Sequence, residues 1–423
     1  VEVTGPMLTG THHGERVGAC TDCRRFWAMY RGGEIGDVEV EELTNELVPT
    51  AGTCGVMGTA STMALMTEAM GMMLPGGGAI PATYADRPRH AELTGNRAVA
   101  MVAEDLSPEK IITPAAVRNA LRVLQAIGGS TNGLIHMTAM AGRLGIRVDL
   151  DTFDELGRDI PVLVDLKPSG QYYMEDLHRA GGLAPILRGL RDYLELDALT
   201  VTGRTLGEEI NALPPAYTQD VVKSLDAPLY PGGGMVVLRG NLAPNGAVIK
   251  QSAANPDLLV HEGRALVFSS LEDMATRLDS PDLDVTANDV LVLQGAGPLG
   301  APGMPEAGYL PIPRKLAEQG VKDMVRLSDA RMSGTAFGTV ILHVAPESAV
   351  GGPLALVKTG DWIRLDVHNR SLELLVDDAE LARRREAWSP PPLHVGAERG
   401  YLNLYLNRVT QAPDGCDFDF LMP

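Results

Sequence analysis

The first half of the chain carries apolar residues at helical spacing. From Ala115 to Ile127 (AAVRNALRVLQAI) apolar side chains recur three and four positions apart, which predicts a helix. Gly128–Asn132 interrupts this pattern and offers capping side chains to a second predicted helix, Gly133–Leu144. A third helix is predicted from Thr59 to Met73, because Pro75 and three glycines follow it. The chain is therefore expected to be helix-rich up to about residue 225.

Beyond Pro231–Gly234 the pattern changes to short apolar runs separated by turns, which is typical of β-strands. The runs MVVLRGNL and AVIKQS flank a Pro244–Gly246 turn and predict a hairpin. Further strands are predicted at Ala265–Ser269, Val290–Gln294, Ile341–Val344 and on both sides of His368–Arg370, and helices at Leu271–Leu278 and Asp377–Arg385. We therefore expect an α/β protein. Residues 1–228 would be the remainder of a helix-rich N-terminal α/β domain, and residues 229–423 a β-rich, swivel-like barrel domain with covering helices.

Composition narrows the choice of partners. The formal net charge of −18 argues against nucleic acid or an anionic membrane as the main partner, since both require a basic surface. An anionic small-molecule substrate stays compatible, because a metal ion or a helix N-terminus can make a local positive site. Four cysteines are too few for a disulfide scaffold and no signal peptide is visible, so a cytoplasmic protein is expected. The longest apolar stretch, Val56–Leu74, includes Glu68 and is interpreted as a buried helix instead of a membrane span.

The cysteines offer two candidate features. Cys54 lies in the segment Gly52–Ala60, just before a predicted helix whose dipole and free N–H groups favour a thiolate. A thiolate there could ligate a soft metal or an iron–sulfur cluster, and the alternative is a buried, inert cysteine. Cys20 and Cys23 form an isolated CxxC pair. With two other cysteines and no His-x-x-x-His tract, a closed zinc site is difficult to assemble, so this pair is given a structural or incidental role.

A loop rich in glycine and proline offers a candidate carboxylate. Gly295–Gly300 fits the GxGxxG pattern and follows a predicted strand. A dinucleotide-binding fold would require a helix to begin here, but Ala301–Pro305 cannot open one, so we reject that interpretation. The loop presents Glu306 at a fixed place, where it could ligate a hard metal ion. A solvated surface glutamate is the alternative.

A polar turn from Ser328 to Thr335 offers candidate hydroxyl groups. Its small residues can hold an anionic group through backbone N–H donors, and the alternative is an ordinary capping and turn segment. A hydrolase serine is disfavoured, because GxSxG is absent and no histidine and acid partners are evident. His178 is interpreted as a structural histidine.

Several segments, in the same order along the chain, together resemble the family of dihydroxy-acid and sugar-acid dehydratases, which includes phosphogluconate dehydratase. The segments are GTCGVMGTASTMALMTEAMGMMLPG, AIGGSTNGLIHM, YYMEDLHRAGG, GNLAPNGAVIK, GAPGMPE and SDARMSGTAFGTVILHVAPES. The resemblance extends from the first residues to about Arg385.

The resemblance implies a hydro-lyase with Mg²⁺ and an iron–sulfur cluster, typically [2Fe–2S], with [4Fe–4S] as the alternative. The matching positions are Cys54 for the cluster, Glu306 for Mg²⁺, Ser333 as the general base, and Arg331, Gly334 and Thr335 for the substrate. The implied reaction removes the C2 proton and the C3 hydroxyl of a polyhydroxy acid and yields a 2-keto-3-deoxy acid. Oligomeric relatives imply a homodimer or homotetramer.

The chain departs from the family pattern near its start. The family's other cluster cysteines and its Cys-Asp-Lys segment would lie before Gly5–Met7, and Cys20 and Cys23 follow that point and do not match them. We therefore expect an N-terminally truncated chain that, as given, lacks ligands for both metals. Ala330 also stands where the family has glycine, which matters little if its backbone angles suit alanine.

The segment Met332–Thr339 resembles the sugar-acid branch, so a pentonate or hexonate such as arabinonate, xylonate or galactonate is the expected substrate. A dihydroxy-acid dehydratase of branched-chain amino-acid biosynthesis is the alternative within the family. An inactive fragment, or half of a split enzyme with a structural role, is an alternative of another class. A CxxC zinc or redox protein is a further one, and its bound zinc would survive the loss of Cys54.

Overall fold

A computed structural model describes residues 1–335, 337–392 and 394–423 of the chain. Ala336, within the segment used above to choose the branch, lies outside the described residues. The first half is mainly helical, apart from an antiparallel hairpin of β1 (Gly10–His12) and β2 (Glu15–Val17). Its helices are α1 (Thr21–Arg31), α2 (Asp37–Glu46), α3 (Thr59–Ala69), α4 (Asp86–Ala103), α5 (Pro108–Ile111), α6 (Pro114–Ala126), α7 (Asn132–Gly142), α8 (Leu150–Gly157), α9 (Met174–Arg179), α10 (Ala184–Gly189) and α11 (Leu206–Ala212).

The three helices predicted from apolar spacing are present as α3, α6 and α7, with slightly shifted ends. Helix α6 begins with Pro114, and the side chain of Thr113 caps it by accepting a hydrogen bond from the backbone N–H of Ala116 at 3.3 Å. Glycine permits the close approach of the segment before α7 to α3. A Cβ at Gly129 would lie 2.9 Å from Cγ2 of Thr62. The small residues seen in the sequence therefore allow these helices to pack tightly.

The second half contains an eight-stranded sheet in the order β10–β9–β5–β6–β7–β8–β4–β3. Its strands are β3 (Val236–Leu238), β4 (Gly246–Ile249), β5 (Val260–Phe268), β6 (Val290–Leu293), β7 (Arg326–Ser328), β8 (Val340–Ala345), β9 (Trp362–Asp366) and β10 (Ser371–Leu374). Strands β5 to β8 are parallel, and the other pairs are antiparallel. The covering helices are α12 (Leu271–Arg277), α13 (Arg314–Ala317), α14 (Asp378–Ala387) and α15 (Gly400–Arg408). The α/β fold class predicted from the sequence is confirmed.

The sheet curls until its two edges meet. Arg239, just after β3, forms a bridge with Ser371 on β10, and the backbone N–H of Leu372 donates to the carbonyl of Arg239 at 2.8 Å. Apolar side chains from the strands fill the interior. Val237 and Val248 point outwards from β3 and β4 and join the apolar cluster of α6 and α7, so the two halves of the chain share a core. The domain boundary at residues 228 and 229 stays a prediction.

The GxGxxG segment forms a turn that binds the protein's own carboxylate. The backbone N–H groups of Leu299 and Gly300 donate to the Glu347 carboxylate at 3.0 and 2.9 Å. A Cβ at Gly297 would lie 2.5 Å from Oε2 of Glu347, so glycine is needed for this approach. These N–H donors are thus already satisfied and are not free to hold a phosphate. Among the described residues, no helix combines the length and the apolar character needed to cross a membrane.

Candidate functional site

The loops that follow β6 and β7 lie at one edge of the sheet and are joined by a buried carboxylate. Because β6 and β7 are parallel neighbours, their carboxyl ends meet at this edge. Asp329, directly after β7, accepts hydrogen bonds from the backbone N–H of Ala296 at 3.0 Å and from that of Ser348 at 2.9 Å. Burial raises the pKa of Asp329, and the hydrogen bonds that it accepts oppose that shift. This carboxylate fixes the starting points of both loops.

The loop after β7 carries three neighbouring residues toward the helical half. The hydroxyl of Thr335 donates to Oγ of Ser333 at 3.2 Å, and the hydroxyl of Thr21, at the start of α1, donates to the Thr335 carbonyl at 2.9 Å. A Cβ at Gly334 would lie 2.6 Å from Cβ of Ser130, in the segment before α7. Gly334 therefore allows the loop to contact the helical half closely enough to place Ser333 between the two.

Cys54 meets this loop at the start of α3, where Gly58 is the residue before the first helical turn. A Cβ at Gly58 would lie 2.8 Å from Cγ2 of Thr335, 3.8 Å from Cβ of Cys54 and 4.0 Å from Oγ of Ser333. The absence of a side chain at Gly58 thus lets the methyl group of Thr335 pack against the start of α3, with Cβ of Cys54 and Oγ of Ser333 beside the same point. Cys54 and Ser333 are both half-buried.

Glu306 reaches the same region from the loop after β6. The side-chain amide of Asn132, at the first turn of α7, donates to Oε1 of Glu306 and also to Oγ1 of Thr59. The guanidinium of Arg331 lies 3.5 Å from Oε1 of Glu306 and donates to the carbonyl of Met304. Oδ1 of Asn132 is buried and has no hydrogen-bond partner within the described part of the chain. A carboxylate oxygen and an amide oxygen are therefore available here for a further ligand.

A second thiol lies against Cys54. Sγ of Cys20 is 2.9 Å from Sγ of Cys54, although the two residues are 34 positions apart. Their hydrogen bond favours a state in which one thiol is ionised and the other keeps its proton. It lowers the pKa of the Cys20 thiol to about 7 and raises the pKa of the Cys54 thiol. The sequence interpretation gave Cys20 an incidental role and missed this contact.

Cys20 has a backbone conformation that side chains rarely adopt, with φ of 153°. The buried carboxylate of Asp22 holds the surrounding turn. It accepts hydrogen bonds from the Gly18 N–H at 2.9 Å, from the Tyr173 hydroxyl at 2.8 Å and from the Lys167 ammonium at 2.8 Å. A cysteine at a position that suits glycine is strained by about 1–3 kcal/mol, and such strain clusters at functional sites.

Buried nitrogen bases surround the loop after β7. Lys250 donates to the Gly334 carbonyl at 3.2 Å, and burial lowers its pKa to about 7. Burial also lowers the pKa of His343 to about 3, and burial together with Arg331 lowers the pKa of His136. The sequence interpretation quoted the segments that contain these residues without assigning them a role, because burial of a single polar residue leaves no periodic signal.

The structure brings together all six residues chosen from the sequence and separates the others. Cys54, Glu306, Arg331, Ser333, Gly334 and Thr335 border one region. Cys23 packs instead against the apolar cluster around Phe26, and burial raises the pKa of its thiol. His178 contacts Tyr84 edge-on, with ring centroids 5.3 Å apart. Ala330 does not have a positive φ, so its backbone suits alanine.

Comparison with protein families gives two adjoining matches. Residues 1–209 match the family described as the N-terminal part of dihydroxy-acid/6-phosphogluconate dehydratase, and residues 220–416 match the family described as its C-terminal part. Together these matches include every residue of the site described above.

Characterised relatives match nearly the whole chain. This chain is 49% identical over 419 residues to a protein named L-arabinonate dehydratase from Rhizobium leguminosarum bv. trifolii. The matched region covers 99% of this chain and 72% of the relative. The chain is 47% identical over 420 residues to 6-deoxy-6-sulfo-D-gluconate dehydratase from Pseudomonas putida, with the same coverage of each chain. A dihydroxy-acid dehydratase from Ignicoccus hospitalis is 40% identical over 408 residues, which is 95% of this chain and 73% of the relative.

Replacing Lys250 with methionine should remove a pH dependence of stability. The ordinary pKa of lysine is 10.5, and burial lowers that of Lys250 to about 7. Between these two pKa values the unfolded chain binds a proton that the folded chain does not. Lys250 therefore makes the free energy of unfolding rise with pH from about 7 to about 10.5. Below pH 7 it lowers the free energy of unfolding by a constant amount. We expect Lys250→Met to raise the urea midpoint at pH 7 and to flatten its rise between pH 7 and 10.

The exposed Lys358 provides the matched control. Lys358→Met should keep the wild-type dependence of the urea midpoint on pH. An unchanged profile in Lys250→Met would mean that Lys250 stays protonated in the folded protein.

Proposed function

The chain belongs to the dihydroxy-acid/6-phosphogluconate dehydratase family, whose members are hydro-lyases, and we propose that this member dehydrates a sugar acid. The substrate would be a pentonate or hexonate, such as arabinonate, xylonate or galactonate, and the product a 2-keto-3-deoxy acid. The observation that supports this proposal is that Cys54 and Ser333 meet at Gly58, while Glu306, bound by Asn132, lies near enough to Cys54 to contribute to the raised pKa of its thiol. These are a soft ligand, a hard ligand and a proton acceptor in one place.

The choice of a sugar acid is supported by the relatives. The proteins named for sugar acids are 47–49% identical to this chain, whereas those named dihydroxy-acid dehydratase are 39–40% identical. The segment Met332–Thr339 supports the same branch. A dihydroxy-acid substrate remains the second outcome of the substrate test.

The residues present supply part of the ligand set of an iron–sulfur cluster and of a magnesium ion. A cysteine thiolate is the ligand that iron–sulfur clusters require, and the thiol of Cys54 lies in contact with that of Cys20. We propose Cys54 as the cluster ligand and place Cys20 beside it. Glu306 offers the carboxylate oxygen that Mg²⁺ prefers, and Oδ1 of Asn132 is a buried oxygen with no partner within the described ranges. When bound, these groups supply Lewis acidity toward the leaving hydroxyl and the carboxylate end of the substrate.

Ser333 is the residue that we propose to move the proton. Its Oγ accepts a hydrogen bond from Thr335, which stabilises negative charge on Oγ, and Lys250 adds a polar group behind Gly334. Ser333 takes the proton from C2 of the substrate while the bond between C3 and its hydroxyl oxygen breaks. The leaving hydroxide takes up a proton to become water, and the enol gains a proton at C3 and loses the proton of its C2 hydroxyl to become the keto acid.

Arg331 and the buried surroundings orient the substrate. The Arg331 guanidinium is fixed by the Met304 carbonyl and retains N–H donors that can bind the substrate carboxylate. Thr335 is fully buried, so its hydroxyl is shielded from bulk water. A cytoplasmic homodimer or homotetramer is also part of the proposal, carried over from the family.

The experiment that tests the function is an assay of a panel of acids with the protein expressed anaerobically from its full coding region. We expect keto-acid formation from at least one pentonate or hexonate, and a lower kcat/KM for 2,3-dihydroxy-3-methylbutanoate. Ser333→Ala should lower kcat by about 10²–10⁴-fold, the usual contribution of a general base. Its iron content should stay at the wild-type level.

Ser224 is exposed and lies outside the site, so Ser224→Ala is the matched control and should keep the wild-type kcat. Turnover by Ser333→Ala at the control rate would exclude Ser333 as the base. A higher kcat/KM for the dihydroxy acid than for every sugar acid would assign the enzyme to the dihydroxy-acid branch of the family.

Loss of one thiol should remove the cluster selectively. Cys54→Ser should lower bound iron and sulfide by at least about tenfold, because a serine hydroxyl is a poor ligand for this type of cluster. Cys23→Ser is the matched control, since Cys23 packs against the apolar cluster around Phe26, and it should retain both. Colorimetric iron and sulfide analysis with the visible absorption spectrum provides the measurement. Equal iron in the two variants would contradict the assignment of Cys54.

Adding one methyl group at Gly58 should disturb the site without disturbing the fold. A Cβ would lie 2.8 Å from Thr335, so Gly58→Ala must displace the loop that carries Ser333, and a displacement of about 1 Å costs about 100-fold in rate. Gly36 holds the equivalent position before α2, with φ of −100° against −95° at Gly58 and no atom near its Cβ position. Gly36→Ala should keep wild-type kcat/KM. Similar kcat/KM for both variants would show that Gly58 does not limit the site.

A further inference from the structure

Two histidines and a glutamate at the β1–β2 hairpin lie close enough to share a metal ion. The ligand atoms of His12, His13 and Glu39 all lie within 4.8 Å of one another. The hairpin provides the two imidazoles, and α2 provides the carboxylate. Neither element contributes a side chain to the region around Gly58. We propose that these three residues form a second metal site, which binds Zn²⁺ or a similar late divalent transition metal.

His12 is the residue that points to a missing ligand. It is 7% exposed, and its Nε2 is buried without a hydrogen-bond partner among the residues described. The Glu39 carboxylate oxygen lies 4.0 Å from this nitrogen, which is too far for a hydrogen bond. An unpaired buried polar atom costs about 1–3 kcal/mol, so a bound cation between the two groups would remove a real penalty.

The turn conformation places the second imidazole on the same side as the first. Consecutive residues in a strand normally point to opposite faces. His13 has a φ of 47°, and as a result its ring stacks on that of His12 with centroids 4.1 Å apart. His13 is exposed, so its ring is free to rotate toward the space between His12 and Glu39.

The hairpin is held firmly against α2. A Cβ at Gly10 would lie 1.9 Å from the carbonyl oxygen of Glu46, so β1 lies directly against the end of α2. The edge of the His12 ring also meets Phe26 of α1, with centroids 6.0 Å apart. This packing holds His12 in place. The half-exposed Glu39 is therefore the side chain that moves when the ligand atoms approach a shared metal ion. Two ligands of one tetrahedral zinc ion are about 3.3 Å apart, so a small movement of Glu39 is sufficient.

The donor set selects the class of metal. Imidazole nitrogens suit zinc, copper, nickel and iron, whereas magnesium and calcium prefer oxygen ligands throughout. Two histidines and one carboxylate leave a fourth tetrahedral position for water. A metal at this place would link the hairpin to α2, and binding to the folded state alone would stabilise that state.

The test measures zinc binding to the cluster-containing protein by titration calorimetry and follows Co²⁺ binding by visible absorption. We expect one zinc ion per chain and a Co²⁺ spectrum without a sulfur-to-metal charge-transfer band, because this site has no thiolate. Zinc should also raise the Tm of the wild-type protein. Glu39→Gln and His13→Ala should each weaken binding by at least about tenfold, and both change exposed or half-exposed side chains that leave the fold intact.

Matched controls separate this site from general surface binding. Glu42→Gln changes an exposed carboxylate on the same helix, and His368→Ala changes an exposed histidine in another turn. Both should bind zinc as the wild type does. The proposal is overturned if wild-type protein binds no zinc, if Glu39→Gln and His13→Ala bind it as tightly as the controls, or if the Co²⁺ spectrum shows sulfur ligation.

Discussion

The approach of the loop after β7 to the start of α3 is the contact on which the rest of the site depends. Gly58 has no side chain, and any Cβ there would overlap the methyl group of Thr335. Gly334 makes a similar approach to Ser130 from the other side. Two glycines thus set the distance between a helical half that provides a thiol and a sheet half that provides a hydroxyl. Because packed interiors tolerate little change in volume, these two close contacts fix the distance between the halves.

The same arrangement explains how an acidic protein can receive an acidic substrate. The formal net charge is −18, yet Arg331 lies at the site and Lys250 lies behind it. Burial lowers the pKa of Lys250 to about 7, so Lys250 is only partly charged at neutral pH, and Arg331 supplies a positive charge beside Glu306. The positive electrostatic potential is therefore limited to the surroundings of the site. This agrees with the proposed small anionic substrate.

The strained backbone of Cys20 indicates a functional position that the spacing of cysteines in the sequence does not reveal. The turn that holds it is anchored by the buried carboxylate of Asp22, and its φ of 153° would suit glycine better. The cost of that conformation is offset by the surrounding hydrogen bonds, and the outcome is a thiol in contact with Cys54. His12 is a comparable case at the β1–β2 hairpin, where a buried nitrogen without a hydrogen-bond partner in the described part of the chain is the basis of the proposed metal site.

The sequence by itself indicated helices α3, α6 and α7 of the first half and most strands of the second, and its ordered motifs proposed six site residues, since apolar periodicity and motifs are local properties of the chain. It missed the short strand β7, whose three residues give no period, and it treated Cys20 as incidental. Apolar spacing could not place Cys54, Glu306 and Ser333 in one region, because they lie on three separate loops, and only the family resemblance implied that they share a site. Only the tertiary structure decided that, through the parallel pairing of β6 with β7 and the contacts at Gly58 and Gly334. Such contacts depend on distances between residues far apart in the chain, and no local pattern specifies them.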